Sequence, residues 1–439
     1  MNPTSLELIA TVLFGIAIMH TFSVGHFQKW AHKFPSGSVG ENLCHWLGEV
    51  EAVFGIWAAV FIACYGLIDG FAVYHSSGTD GNHAVGGALH YLESQNFTEP
   101  LFVFVIMCMA GTRPIVMLAE TCIELASKIL PLPRKMAFYI SALVLGPILG
   151  SFITEPAAMT VTALILLNLF FKQPMSERFK YATIGLLFVN VSVGGTLTHF
   201  AAPPVLMVAS KYGWGVSHMF FNFGWKAVIA ILLSTALYAV IFRKELTKPL
   251  PKFKSTKGLM SPPWWLYVLH LIFLGVVVLT AHHAVFFIGV FLFFVGFVAV
   301  TKEFQDELKL KESLMVGFFL AGLVVLGSMQ KWWLQDLLLS MSDLVLFFGA
   351  TGLTAITDNA ALTYLGSLVN LSETAKYYLV AGAVSGGGLT VIANAPNPAG
   401  YGILKEAFKD GSISPLLLFL AAVPPTIIVC LCYLFLPSF

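Results

Sequence analysis

Long apolar stretches recur along the whole chain and dominate its pattern. A helix needs roughly 20 residues to cross a bilayer core, and stretches of that order are separated by clusters of charge, Pro and Gly. We predict transmembrane helices near residues 6–24, 47–68, 98–126, 181–209, 219–242, 264–281, 285–301, 313–329, 377–404 and 413–437. Two further apolar runs, 137–171 and 343–369, are each interrupted by polar residues near the middle. The pattern predicts an all-α polytopic membrane protein.

The Lys and Arg residues predict how the helices are oriented, because cytoplasmic loops are enriched in both. Basic residues lie on both sides of the first interrupted run, at Lys128, Arg134, Lys135, Lys172, Arg178 and Lys180. Both ends of this run are therefore expected inside, as in a re-entrant hairpin. If the second run is also a hairpin, only Lys211, Lys331 and Lys376 of the 24 basic residues fall in outside loops, and Arg113 and Lys226 fall within spans. Both chain termini are then expected outside.

This topology divides the chain into two halves of opposite orientation, which is an inverted-topology repeat. It contains about ten transmembrane helices, two re-entrant hairpins and two unwound helices. We expect a first repeat over 1–242, with a hairpin from the cytoplasm at 137–171 and a broken helix at 181–209; a cytoplasmic linker over 243–263; and a second repeat over 264–439, with a hairpin from the outside at 343–369 and a broken helix at 377–404.

Composition excludes several classes of protein. Hydrophobic residues make up 57% of the chain and charged residues 11%, whereas a soluble domain carries about 25% charged residues. A formal charge of +1 does not favour nucleic acid as a partner. The chain shows no Ser/His/Asp grouping, HExxH motif or phosphate-binding loop, so we expect a transporter of the cell (inner) membrane, in contact with the lipid bilayer, rather than an enzyme. No cofactor is expected besides the transported ions.

The two halves also resemble each other in sequence. Residues 153–160 align with 356–363 without a gap, and five of eight positions are identical. Residues 194–204 align with 386–396, with Gly, Thr and Pro in register. Non-helical backbone at membrane depth persists only where protein or a water-filled cavity satisfies it. We therefore expect these four segments to line one shared site.

Glu155 and Asp358 occupy matching positions in the aligned segments. A carboxylate near the bilayer midplane costs at least ~2.5 kcal/mol, so both are candidates for proton coupling and for binding Na⁺. Free carbonyls, Thr hydroxyls and a carboxylate form a hard-oxygen site that suits Na⁺, Li⁺ or H⁺. The candidate ion-binding residues are Thr154, Glu155, Gly194, Gly195, Thr196, Thr198, Thr357, Asp358, Asn359, Gly387, Thr390, Asn394 and Asn397. Competition between a proton and a cation for one carboxylate would give antiport.

The paired hairpin tips, the Gly-Gly-Thr and Asn-Ala-Pro-Asn-Pro breaks and the inverted halves resemble the ion transporter superfamily. The likeness extends over nearly the whole chain, is close to the putative Na⁺/H⁺ antiporter family and is similar to NhaD-type antiporters. It implies a homodimer, with a scaffold domain and a mobile transport domain that carries the hairpins in an elevator-type movement. Dicarboxylate carriers of the superfamily have Ser-Asn-Thr at each tip. Here Thr-Glu-Pro and Thr-Asp-Asn stand instead, which favours a cation.

Alternatives remain at several of these residues. Either acid could instead cap an exposed helix end, because the helix dipole stabilises a carboxylate near an N-terminus. The Thr and Asn residues could serve packing as well as ligation. Arg113, Glu120 and Glu124 share one helical face, and could form either a buried charge network beside the site or a salt bridge that reaches the cytoplasmic surface. The alternative function is Na⁺-coupled symport of a small organic or inorganic anion, received at helix ends.

Overall fold

Helices account for nearly all regular structure in the computed structural model, which describes residues 3–74, 85–248, 260–408 and 411–438. A pair of two-residue strands, Val73–Tyr74 and Val85–Gly86, is the exception in this part of the chain. The first eleven helices are α1 Ser5–Ala31, α2 Val39–Leu47, α3 Val53–Asp69, α4 Ala88–Glu93, α5 Thr98–Ala110, α6 Arg113–Ile129, α7 Arg134–Ile153, α8 Glu155–Leu166, α9 Glu177–Gly194, α10 Pro203–Tyr212 and α11 Val216–Met219. The others are α12 Trp225–Ile241, α13 Arg243–Leu246, α14 Trp264–Leu279, α15 Ala284–Val300, α16 Leu310–Gly327, α17 Lys331–Leu339, α18 Asp343–Thr354, α19 Asn359–Ser367, α20 Glu373–Gly386, α21 Asn397–Leu404 and α22 Pro415–Phe435.

The prediction of an all-α polytopic membrane protein is confirmed. Six helical stretches of the described residues are long and apolar enough to cross a membrane, or seven if the bent pair α5 and α6 counts as one span. The six are Ser5–Ala31, Val50–Asp69, Arg134–Ile153, Val216–Ile241, Leu310–Leu339 and Pro415–Phe435. Helices α14 and α15 are apolar but shorter, at 16 and 17 residues. The count of about ten spans and the inverted orientation of the halves stay predictions.

The helix predicted near 98–126 is interrupted in the structure. Helices α5 and α6 meet there at an angle of 67°. Thr112 has an extended backbone, with φ −73° and ψ 151°, and Pro114 follows in the first turn of α6. Pro lacks the N–H that a continuous helix would use, and its ring clashes with the carbonyl four residues earlier. The helix therefore ends at Ala110 and restarts at Arg113.

The chain forms two compact units, each of which combines residues from both predicted repeats. The first contains the described residues of Met1–Phe104, Leu310–Ser340 and Tyr364–Asn370, and the second contains the remaining described residues. Within the first unit, α3 and α16 approach so closely that a Cβ on Gly322 would overlap the backbone of Gly55. Within the second unit, α9 packs against α7 and α22, and α18 packs along α20.

Most of the predicted linker, residues 249–259, lies outside the described residues. Its first residues form the short helix α13. Both helices predicted to be broken are interrupted in the structure. Helix α9 ends at Gly194 and is followed by a short turn before α10, and α20 ends at Gly386 well before α21 begins. Pro residues lie at the start of α10 and α21, where a missing N–H costs no helical hydrogen bond.

Candidate ion-binding site

The first interrupted run turns at a single residue, Thr154, between α7 and α8. Its φ of +71° is the one positive value at a non-glycine position among the described residues. This conformation is unfavourable for a β-branched side chain. Thr154 is 2% exposed, and its hydroxyl has no hydrogen-bond partner among the described residues. Strained, buried backbone of this kind persists only where the surrounding structure fixes it, and it is common at functional sites.

Glu155 is the first residue of α8 and is completely buried, with 0% exposure. One carboxylate oxygen, Oε2, accepts a hydrogen bond from Nδ2 of Asn394 at 2.9 Å. The other, Oε1, has no partner within the part of the chain that the structure describes. Burying an uncompensated charge is expensive. A carboxylate in this setting is therefore stable when it holds a proton or when a cation lies against it.

The first break lies directly against this carboxylate. A Cβ on Gly195 would be 2.5 Å from Oε1 of Glu155, and a Cβ on Gly194 would overlap the backbone of Pro147 in α7. Both positions therefore require glycine for close approach. The backbone of the break consequently forms one wall of the Glu155 environment.

Thr196 and Thr198 in this break both donate to protein carbonyls. The Thr196 hydroxyl lies 2.7 Å from the carbonyl of Val193, and that of Thr198 lies 2.7 Å from the carbonyl of Ser151. Thr196 also lies 3.4 Å from the hydroxyl of Tyr433. Each hydroxyl is thus held by a hydrogen bond while its oxygen keeps acceptor capacity. Packing and ligation are compatible roles here.

Asp358 has a different environment from Glu155. Its Oδ1 accepts from the N–H groups of Ala360 and Ala361, at 2.8 and 3.2 Å, and so caps the start of α19. It is partly exposed. The structure thus shows the capping role that the sequence left open for this acid. Asp358 also lies within electrostatic range of the Glu155 carboxylate. Thr357 donates to the carbonyl of Leu353 at 2.9 Å.

Asn359 connects the second tip to the second break. Its backbone N–H donates to the carbonyl of Ala393 at 3.1 Å, and its side chain is completely buried. Neither Oδ1 nor Nδ2 of Asn359 has a partner among residues 3–74, 85–248, 260–408 and 411–438. A Cβ on Gly387 would be 2.7 Å from Nδ2 of Asn359, so this glycine, like Gly195, allows close packing.

Asn397 holds the second break together from the start of α21. Its Nδ2 donates to the carbonyls of Gly387 and Thr390, at 2.7 and 2.8 Å. Thr390 in turn donates to the carbonyl of Ala355 at 2.9 Å. The Oδ1 atoms of Asn397 and of Asn394 have no hydrogen-bond partner within the described ranges. Both amides therefore keep an acceptor that no protein donor uses.

The structure thus links most of the predicted site residues through direct contacts. Asn394 follows Ala393, which accepts from Asn359, while Asn394 itself bonds Glu155. Among the predicted site residues, five have a buried oxygen without a partner in the described part of the chain: Thr154, Glu155, Asn359, Asn394 and Asn397. All of these residues lie in the second unit. Amide, hydroxyl and carboxylate oxygens are hard ligands that fit an alkali cation.

Sequence reasoning missed two serines that join these segments. The hydroxyl of Ser192 donates to the carbonyl of Val384 at 2.8 Å and so ties α9 to α20. Ser151 bonds the first break. The signal that could have indicated Ser151 is its place in the sequence, a serine in an apolar stretch three residues before Thr154.

Arg113 has a partner that helical spacing did not suggest. Its guanidinium binds the carboxylate of Asp306 and, at 2.6 Å, the carbonyl of Gln305. Glu124 pairs instead with Lys128, one turn further along α6, at 2.9 Å. Arg113 and Glu124, predicted to share one helical face, therefore belong to two separate ion pairs.

A membrane-spanning helical fold in which broken helices meet at a buried carboxylate defines the class of secondary transporters. A family model described as putative Na⁺/H⁺ antiporter matches residues 5–436, nearly the whole chain. The chain belongs to this family, and the resemblance seen in the sequence is confirmed. No curated protein matches the chain. Family membership places the protein among transporters and in a membrane.

Proposed function

We propose that the protein exchanges Na⁺ or Li⁺ for protons and that Glu155 binds the two in turn. The observation that carries this proposal is the environment of one buried carboxylate. Asn394 holds Oε2, whereas Oε1 has no partner among the described residues. A proton on Oε1 neutralises the group, and a cation beside it compensates the charge. Because either one removes the cost of burial, each favours release of the other.

The neighbouring oxygens support a cation at this position. Thr154 and Asn394 each have a buried oxygen that accepts from no donor of the described chain. Thr154 precedes Glu155 in the sequence, and Asn394 is hydrogen-bonded to it. Alkali cations are bound by such carbonyl, hydroxyl and carboxylate oxygens. We therefore assign Glu155, Thr154 and Asn394 as the principal ligands. Asp358 adds negative potential nearby.

The positions of the acids argue against the alternative, symport of an anion. Helix N-termini attract anions, and here Glu155 and Asp358 already lie at the starts of α8 and α19. An acidic side chain of the chain itself thus already lies at each of these two helix ends. Sodium-dependent uptake of a labelled organic or inorganic acid by the reconstituted protein would nevertheless favour symport.

We further propose that the protein works as a homodimer by an elevator-type cycle, with the first hairpin entering from the cytoplasm and the second from the outside. The two-unit organisation supports this, because every candidate ligand belongs to the second unit. If the second unit moves as a rigid body, the candidate ligands keep their positions relative to one another. Light scattering of the purified protein tests the dimer, and cysteine labelling from each side at positions 178 and 376 tests the topology.

Proton movement in proteoliposomes tests the exchange directly. Vesicles with an acidic interior and a pH-sensitive dye receive NaCl, LiCl or KCl from outside. We expect Na⁺ or Li⁺ to dissipate the pH gradient, and Glu155→Gln to abolish the response because a neutral amide has no proton to exchange and no negative charge for the cation to compensate. Glu124→Gln is the matched control, since the carboxylate of Glu124 pairs with Lys128. Wild-type exchange in Glu155→Gln would refute the proposal.

A further inference from the structure

Ser151 joins the first hairpin to the break in α9 through three hydrogen bonds. Its hydroxyl donates to the carbonyl of Gly194 at 2.7 Å and accepts from the N–H of Leu197 at 2.9 Å. Its own carbonyl accepts from the hydroxyl of Thr198 at 2.7 Å. Ser151 is completely buried in the last turn of α7. One residue thus fixes both ends of the five-residue segment 194–198.

These hydrogen bonds satisfy groups that the break in the helix frees. Where a helix ends, its last carbonyls lose their intrahelical partners. A buried backbone group left without a partner costs about 1–3 kcal/mol. The Ser151 hydroxyl serves as donor to one such group and as acceptor from another, which few side chains can do at once.

The segment held by Ser151 is the one that touches the acid. Gly195 packs against Oε1 of Glu155, and Glu155 itself lies four residues after Ser151, on the other side of the turn at Thr154. Ser151 fixes the segment that contains Gly195, and Thr154 leads directly into Glu155. Residues next to the hairpin tip therefore determine the distance between the Gly195 backbone and the Glu155 carboxylate.

The second half lacks the two hydrogen bonds of the serine hydroxyl, although Thr390, which aligns with Thr198, likewise donates to a carbonyl of its hairpin, that of Ala355. Thr354 occupies the position in register with Ser151, and it is also completely buried. Its hydroxyl has no hydrogen-bond partner among the residues that the structure describes. The second break is held by Asn397 instead. The two breaks are thus stabilised by different residues, and only the first is fixed to its own tip by a serine.

We propose that Ser151 is a positioning residue of the ion site: it holds the 194–198 segment at the distance from Glu155 that cation binding requires. This inference rests on the proposed function. Ser151 does not contact the ion. Its loss loosens one wall of the site and lowers the apparent affinity for the cation, while the carboxylate that exchanges the proton remains.

The test compares Ser151→Ala with Ser141→Ala in reconstituted protein. Ser141 lies on the same helix, is also buried, and its hydroxyl has no partner in the described part of the chain. For Ser151→Ala we expect the half-saturating Na⁺ or Li⁺ concentration to rise about tenfold, the equivalent of one lost buried hydrogen bond. The maximal rate should change less. Hydrogen exchange of the peptide covering 194–198 should become faster. Ser141→Ala should behave as wild type in both measurements.

An unchanged half-saturating concentration in Ser151→Ala, or an equal rise in Ser141→Ala, would overturn the positioning role while the proposed exchange stands. A wild-type protein that moves no protons in response to Na⁺ or Li⁺ would refute the proposed function, and this inference with it. If Ser151→Ala does not fold, Ser151→Cys is measured under the same prediction, because a thiol is a weaker donor and acceptor.

Discussion

Glu155 and Asp358 occupy matching positions in the two halves, but their surroundings separate their roles. Glu155 is enclosed and keeps one oxygen free of protein donors among the described residues. Asp358 is partly exposed, and its Oδ1 accepts hydrogen bonds from two backbone N–H groups. A carboxylate engaged in capping gains less from a cation than one whose charge is otherwise uncompensated. We therefore propose that Glu155, rather than Asp358, is the exchanging group.

Asp358→Asn should keep exchange but weaken cation binding. Asn caps helices about as well as Asp, so α19 should remain in place, whereas the negative potential near Glu155 is lost. The half-saturating Na⁺ concentration in proteoliposomes should rise severalfold, on the order of the modest electrostatic effect of a partly exposed charge. A complete loss of exchange, equal to that of Glu155→Gln, would show that Asp358 is itself an exchanging group.

Gly195→Ala should nearly abolish exchange. The added Cβ would lie 2.5 Å from Oε1 of Glu155, so the carboxylate must move from its present position. A misplacement of about 1 Å at a reacting group can cost on the order of 10²-fold in rate. Gly402→Ala is the control, because a Cβ there meets nothing within 4 Å. Equal initial rates of Na⁺-driven proton movement in both variants would contradict this geometry.

At the scale of elements, the apolar pattern and the Pro and Gly clusters predicted the helices and both breaks well. Helices and breaks can be predicted in this way because each depends mainly on a few residues that are neighbours in the sequence. The bend at Thr112 was missed since the apolar run continues through it. The bond from Asn394 to Glu155 was missed as well. It joins residues far apart in the chain, and only packing brings them together.

The crossing of α3 and α16 gives a test of packing at this scale. A Cβ on Gly322 would overlap the backbone of Gly55, and small residues allow such close approach of membrane helices. Gly322→Ala should therefore destabilise the protein by roughly 1–3 kcal/mol and lower its melting temperature in detergent. Gly275→Ala in α14, where a Cβ meets nothing within 4 Å, should melt as wild type does. Equal melting temperatures would contradict the close crossing.

For the whole molecule, the proposal of a single exchanging carboxylate predicts the stoichiometry of exchange. If only Glu155 alternates between a proton and a monovalent cation, each cycle moves one positive charge in each direction. Exchange should then be electroneutral. Its rate in proteoliposomes should not change when valinomycin and a K⁺ gradient impose a membrane potential of either sign. A rate that follows the imposed potential would mean that a second group, with Asp358 the first candidate, takes part in coupling.

The same competition predicts how the protein responds to pH. Protons occupy Glu155 increasingly as pH falls, so the apparent affinity for Na⁺ should decrease on the acidic side. Binding of a metal ion to a group that must first lose its proton releases that proton. The apparent affinity for Na⁺ can be measured at several pH values on purified protein in detergent, without a transport assay.

The most direct test is therefore proton release on addition of Na⁺ to weakly buffered, purified protein, followed with a pH indicator. We predict release approaching about one proton per chain at acidic pH, less as the pH rises, and none from Glu155→Gln. Release that persists in Glu155→Gln, or Na⁺ binding by the wild type without any release at acidic pH, would contradict the claim that one buried carboxylate holds the two ions in turn.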